Sequence, residues 1–187
     1  MKSLKKCLVS LIALLFVSAG VCGVSFAESV TIEDITYDFN MTDDGLVLYR
    51  VTSARDVTEL VVPEQLDGHS VTKIMGYRNE NGLHGTFQDL TNLKKVVIHD
   101  GITTIGTHAF RNSANLSSIT LPESVKFIDM CAFRHCTSLQ SIYLPKSVER
   151  VKYNAFAGCT SLRDIHADTN TVFDAGALDA NLQVTQY

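Results

Sequence analysis

Beyond its first 27 residues the sequence has Cys131, Cys136 and Cys159 as side chains suited to thiol or metal chemistry, and His99-Asp100 and Arg134-His135 as pairs suited to moving protons. Cys136 and Cys159 are 23 residues apart. In a chain that coils with that period their Cα atoms fall ~5 Å apart, within the span of a disulfide. Parallel Cβ vectors in a packed ladder disfavour the bond, so free, buried thiols acting as small hydrophobes are expected. Cys131 shares its column with His108 and Asn154. A closed zinc site wants four convergent ligands and this column offers two of the right type, so no metal is expected. His99-Asp100 and Arg134-His135 are adjacent in sequence, which suits a turn better than a charge relay. The chain has no G-x-S-x-G elbow, HExxH pair, Walker loop or CxxC, and no catalytic residue or cofactor is expected.

The elements that place these residues are set by internal repetition. Phe87, Phe110, Phe133 and Phe156 are spaced by 23 residues, as are Leu93, Leu116, Leu139 and Leu162. The same offset joins Ile105, Ile128 and Val151, then Ile102, Val125 and Val148, then Ile98, Leu121 and Leu144. Units begin at Val96, Ile119 and Ile142. The unit from Leu60 to Lys95 has 36 residues, and its excess divides into insertions of 5 residues after Pro63 and 8 residues after Ile74. Within a unit, Leu116-x-x-Ile119-x-Leu121 is the LxxLxL pattern of a short strand whose alternate residues point inward. Val125 and Ile128 point inward from a second extended or tight helical stretch, and Ala132-Phe133 and Cys136 fill the far corner on a turn or a single helical turn. One coil cannot bury its own faces, so stability comes from stacking like columns. The expected fold is a right-handed leucine-rich repeat solenoid, β-rich with short helical turns. Ile35 to Met41 and Leu46 to Val51, around Thr42-Asp43-Asp44-Gly45, predict a hairpin that caps its N-terminal end. The pattern fades after Ile165, and the polar segment from Thr169 to Tyr187 is expected to cover the other end irregularly.

Composition fits this reading. The chain has 187 residues, 45% hydrophobic and 19% charged, with 11 Gly and 3 Pro, an ordinary globular profile. Lys2, Lys5 and Lys6 precede an apolar run from Leu8 to Val17, and small residues lead to Ala27, the pattern of a secretory signal peptide cut after Ala27. Cys22 opens a lipoprotein route, but Val21 before it is bulkier than such signals prefer. Cutting after Ala27 removes three lysines and no acidic residue, moving the formal net charge from −4 to −7, so nucleic acid is not an expected partner. No second apolar run long enough to span a bilayer follows, so no integral membrane segment is expected after the cut. Cys7 and Cys22 leave with the signal; the odd set that remains is too sparse for a disulfide scaffold. The resulting division is a signal peptide at 1–27, a cap and partial repeat at 28–59, repeats at 60–165 and a C-terminal cap or tail at 166–187.

The units AFRHCTSLQSIYLP from Ala132 and AFAGCTSLRDI from Ala155 resemble BspA-type, or treponemal-type, leucine-rich repeats. The AF pair, the Cys three positions after Phe, the Leu three further on and the IxLPxSVxxI stretch stand at that family's spacing. The resemblance covers roughly residues 46 to 166. His99-Asp100 in place of the usual Pro, and the insertion before Phe87, are local departures. The resemblance implies a secreted or surface-exposed solenoid that binds other molecules, commonly matrix or host proteins, and it implies no chemistry.

The outward positions of the LxxLxL strands form two ladders: Glu59, Lys95, Ser118, Ser141 and Asp164, then Val61, Val97, Thr120, Tyr143 and His166. This face, expected to be concave, is the default binding surface, and Tyr143 and His166 combine an aromatic body with a polar tip. The bland alternative is a set of solvated sheet residues. The insertion from Met75 to Gly85 adds Tyr77, Arg78 and His84, which the regular coil does not require, although a long loop is also tolerated for its low closure cost. The expected partner is an extracellular or surface protein, or a glycan. The rival roles are self-assembly at the cell envelope and, third, a hydrolase with an unrecognised site.

Overall fold

In the computed structural model, which describes residues 28–54, 56–179 and 182–187, the chain is made of strands and turns, with no helix among those residues. The signal-peptide segment, with Cys7 and Cys22, lies outside the described residues. Three antiparallel strands begin the fold: β1 (Glu28–Ile32), β2 (Ile35–Thr42) and β3 (Gly45–Ser53). The predicted hairpin is β2–β3, closed over Asp43-Asp44, with Thr42 Oγ1 donating to the Gly45 carbonyl at 2.6 Å. Sequence reasoning missed β1. Its turn to β2 uses Glu33 and Asp34, both left-handed at φ 49° and 67°, the conformation of a two-residue hairpin loop without its usual glycine.

The first LxxLxL strand is β4 (Glu59–Val61). The 5-residue insertion then folds as β5 (Gln65–Leu66) paired antiparallel with the start of β6 (His69–Ile74), across Asp67-Gly68. Both turn residues have positive φ, 49° and 75°, so this Asp-Gly is a hairpin signal of the kind read at 43–45. The 8-residue insertion is not an open loop. It forms β7 (Tyr77–Asn79) and β8 (Gly82–His84), an antiparallel pair turning at Glu80-Asn81.

From here each coil supplies two strands. On the LxxLxL side run β9 (Lys95–Val97), and on the second side β10 (Thr104–Ile105). The next coils supply β11 (Ser118–Thr120) with β12 (Phe127–Ile128), then β13 (Ser141–Tyr143) with β14 (Arg150–Val151). After β15 (Asp164–Ala167) the coil continues through β16 (Val172–Phe173) to β17 (Gln183–Gln186). The second side is one continuous sheet, β1-β2-β3-β6-β10-β12-β14-β16, with parallel pairing from β3 onward. The cap is thus part of the stack: Leu48 stands beside Ile74, which stands beside Ile105.

The expected irregular tail is instead a further coil. Val172 and Phe173 pair with Arg150 and Val151, and Gln183 to Gln186 pair with Asp164 to Ala167. Relative to the repeat, the offset falls to 22 between Val151 and Phe173 and to 19 between Ile165 and Val184, which hides the coil from a fixed-period comparison.

The core is a set of columns. Phe110, Phe133 and Phe156 are fully buried and Phe87 nearly so. Their rings stack at 4.7, 5.2 and 5.2 Å, with interplanar angles of 17°, 4° and 2°, close to the ~4.8 Å rise of paired strands. The corner that carries them is built of turns. Ala132 N–H donates to Asp129 O at 3.2 Å and Cys136 N–H to Phe133 O at 3.1 Å, while Phe133 N–H reaches Ala155 O of the next coil at 2.8 Å. Two columns of this corner are left-handed: His108, Cys131, Asn154 and Gly176 at φ 62°, 58°, 57° and 74°, and Asn112, His135 and Gly158 at 63°, 63° and 73°. The mixed His-Cys-Asn column is therefore a backbone requirement of the turn, one that Gly and Asn meet at least cost.

Candidate functional site

Alternation along each short strand decides what faces out. In β13, Ile142 is buried while Ser141 and Tyr143 are exposed; in β15, Ile165 is buried, Asp164 exposed and His166 half-buried. The first ladder forms in two parts: Glu59, Lys95 and Ser118 in register, and Ser141 beside Asp164 as expected, with Gln183 of the last coil added to it. Strand pairing does not run unbroken along the ladders, although β11 and β13 stay adjacent. The LxxLxL side divides into β4-β9-β11 and β13-β15-β17, and no strand pairing joins β11 to β13. Ile119 of β11 is only partly buried where Val96, Ile142 and Ile165 are buried. The expected residues therefore separate into Lys95 and Thr120 on one sheet and Ser141, Tyr143, Asp164 and His166 on the other. Lys95 Nζ also meets Glu59 Oε2 at 3.5 Å.

The second sheet carries an aromatic cluster. Tyr143 pairs with His166, which pairs with Thr185. Tyr187, immediately after β17, stacks its ring on Tyr143 at 5.1 Å and 14°. Its hydroxyl donates to the Leu144 carbonyl at 2.7 Å, and Lys146 Nζ lies 5.8 Å from its ring centroid. Partial burial, followed by the neighbouring Tyr143 hydroxyl, pushes the Tyr187 pKa up, so the phenol stays a donor. Tyr143 is 51% exposed and Tyr187 40%. Tyr187 was not among the residues expected from sequence; the shortened last coil concealed the strand that brings it onto Tyr143.

The insertion residues sit elsewhere on the coil, at the phenylalanine corner. Tyr77 is buried, stacked on His84 at 4.9 Å and 13°, with the Arg50 guanidinium 6.0 Å from its ring centroid. A ring nitrogen of His84 bonds Asn79 Oδ1 at 2.8 Å, and its other nitrogen meets the Gln88 amide. Tyr77 and His84 thus hold the hairpin together, and Arg78 is the exposed member of the three.

Cys131, Cys136 and Cys159 are free and buried. Cys136 Sγ–H donates to Phe110 O at 3.1 Å and Cys159 Sγ–H to Phe133 O at 3.0 Å. Burial, then the neighbouring Cys159, pushes the Cys136 thiol well above its ordinary pKa, the opposite of an activated nucleophile. A shallow cleft of about 370 Å³ between the end of β3 and the 89–92 turn is lined by Ser53, Asp56, Asp89, Thr91 and Asn92 among others.

Stacked coils with a leucine column, a phenylalanine ladder and a polar outward strand define a leucine-rich repeat solenoid. The chain belongs to the BspA type leucine-rich repeat family, whose repeat matches residues 84–183 in 6 copies. The fold is shared with a leucine-rich cell surface protein from Faecalibacterium prausnitzii, at TM-score 0.62 and 23% identity over 84% of this chain and 39% of that one. A leucine-rich repeat protein from Bacteroides capillosus matches at TM-score 0.53 and 26% identity, over 65% of this chain and 85% of that one. The pneumococcal vaccine antigen PcpA matches at TM-score 0.54 and 14% identity, over 84% and 42%. The chain spans well under half the length of the F. prausnitzii protein and of PcpA. No curated protein matches the sequence significantly.

Proposed function

We propose that this chain is a non-catalytic binding module, secreted or held at the cell surface, that engages a protein or glycan through the outward face of β13, β15 and β17. The observation that carries this reading is the exposed stacked pair Tyr143–Tyr187 beside His166. Large apolar rings left in water on a sheet face are out of place for a solvated surface and suit the centre of an interface. Family membership, the signal-like segment before Ala27 and the cell-surface protein sharing the fold support the location.

The test is binding of the purified chain to immobilised matrix proteins and to a glycan array. Tyr143→Ala with His166→Ala should weaken a captured partner by about tenfold or more, the effect of losing one interface hot spot. The melting curve should stay nearly unchanged, because neither side chain belongs to the core. Binding that survives both changes, and also deletion of 76–85, overturns the reading.

A further inference from the structure

The phenylalanine corner also gathers positive charge. The residue after Phe occupies one column, and it is Arg111 in one coil and Arg134 in the next. Phe110 N–H donates to Ala132 O at 2.7 Å and Asn112 N–H to Arg134 O at 3.0 Å, so the two arginines flank bonded backbones at the ~4.8 Å coil spacing. Like charges in register repel. The insertion hairpin brings a third cation. A side chain at Gly76 would strike His108, and one at Gly85 would strike the Arg111 backbone; both glycines therefore let the hairpin close onto this corner. Arg111 Nη1 donates to Leu83 O of β8 at 3.3 Å, and Arg78 stands exposed on β7. Leu83 is the register partner of Arg78, so the strand pair that Arg111 reaches is the one that carries Arg78; after burial, the charges of Arg111, Arg134 and Arg78 lower the His108 pKa.

Carboxylates answer several other cations of the turns and strands: Asp38 meets Arg50 at 2.6 Å, Asp174 meets Arg150 at 2.7 Å and Asp129 meets Lys152 at 2.6 Å. Among the described residues, Arg78, Arg111 and Arg134 have no ion-pair partner within 4.0 Å, although the chain has 20 acidic residues to 16 basic. The Nε–H groups of Arg111 and Arg134 are shielded and meet no acceptor. Both side chains are half-exposed, so a ligand can reach them from solvent.

We propose that Arg111 and Arg134, with Arg78 of the insertion hairpin beside them, form a binding site for a tetrahedral oxyanion, a sulfate or phosphate group carried by a ligand. Arginine forks recognise such groups by charge-assisted hydrogen bonds. A dianion offsets most of the charge of three cations, whereas a carboxylate offsets one unit. The insertion then has a purpose the regular coil cannot serve, since it adds a cation to a column pair that already repels.

The experiment is isothermal titration of the purified chain with inorganic sulfate, inorganic phosphate and acetate at constant ionic strength. Sulfate or phosphate should bind at one site and more tightly than acetate. R134Q and R78Q should each weaken that binding, R134Q by about tenfold or more, as expected for one charge-assisted bond. R163Q, at an arginine bonded to the carbonyls of Thr160 and Leu162, should leave it unchanged. Y143A should also leave it unchanged, which keeps this site separable from the tyrosine face. A sulfated and a phosphorylated disaccharide of the same backbone then tell which ester is preferred. Wild-type affinity in R134Q, equal losses in R134Q and R163Q, or acetate binding as tightly as sulfate would overturn the site.

Discussion

Replacing Phe133 by Ala tests whether the coils act as one packed column. Phe133 is fully buried, with Phe110 5.2 Å to one side and Phe156 5.2 Å to the other. A buried Phe→Ala change costs about 3–5 kcal/mol, the larger values arising where the site cannot collapse. Collapse is hard here. The spacing of the flanking coils is held by Phe110 N–H to Ala132 O at 2.7 Å and Phe133 N–H to Ala155 O at 2.8 Å, so Phe110 and Phe156 cannot close the gap without breaking those bonds. The loss should fall in the upper half of the range, about 4–5 kcal/mol. At about 2–4 °C per kcal/mol for a chain of this length, Tm should fall by roughly 8–20 °C. The sequence has no Trp, so urea unfolding is followed by circular dichroism, with calorimetry for Tm. Phe156→Ala should cost less, because its far neighbour is the partly buried Leu178 rather than another ring. A loss under about 2 kcal/mol at Phe133, or an equal loss at both sites, would refute the idea that hydrogen-bonded coils hold the ladder open.

Two further outcomes follow from the thiols and from His108. Cys136 and Cys159 should resist alkylation at about pH 8, near the ordinary thiol pKa, and react once urea unfolds the chain; rapid labelling of the folded protein would contradict their burial and their bonds to Phe110 and Phe133 carbonyls. His108 has its pKa lowered from 6.5 by burial and then by Arg111, Arg134 and Arg78. The unfolded chain therefore takes up this proton at higher pH than the folded one. The stability contribution of the neutral ring is in place above 6.5 and is lost as pH falls from there toward the folded value. Tm measured from about pH 7.5 to 5 should fall, and H108N, which keeps a residue tolerant of the left-handed backbone, should flatten that slope. An unchanged slope in H108N would assign the effect to another group.

Much of the fold was legible because a coil repeats its contacts at a fixed interval. The columns of Phe, Leu and Ile in the sequence are the stacked columns of the core, and Asp43-Asp44-Gly45 marks the turn from β2 to β3. The site was less legible. The Asp67-Gly68 hairpin was hidden because its strands are only two and six residues long and lie inside an insertion. Tyr143 and His166 were placed side by side, but Tyr187 was not, since the last coil is shorter than the period.

What the sequence determined by itself is the repeat and the inward side of each coil, because burial of alternate Leu, Val, Ile and Phe is a local pattern that any matching neighbour satisfies. What the tertiary structure decided is where strand pairing is interrupted and what packs across the coils. The interruption of pairing between β11 and β13, which remain adjacent, depends on backbone alignment between coils, which side-chain identity does not encode. The His108, Cys131 and Asn154 column looked like chemistry as a list of side chains, and its shared left-handed φ shows that the turn selects it. The approach of the hairpin that carries Arg78 to the backbone of Arg111 likewise arises only in the folded chain, where Gly76 and Gly85 leave room for two backbones to approach.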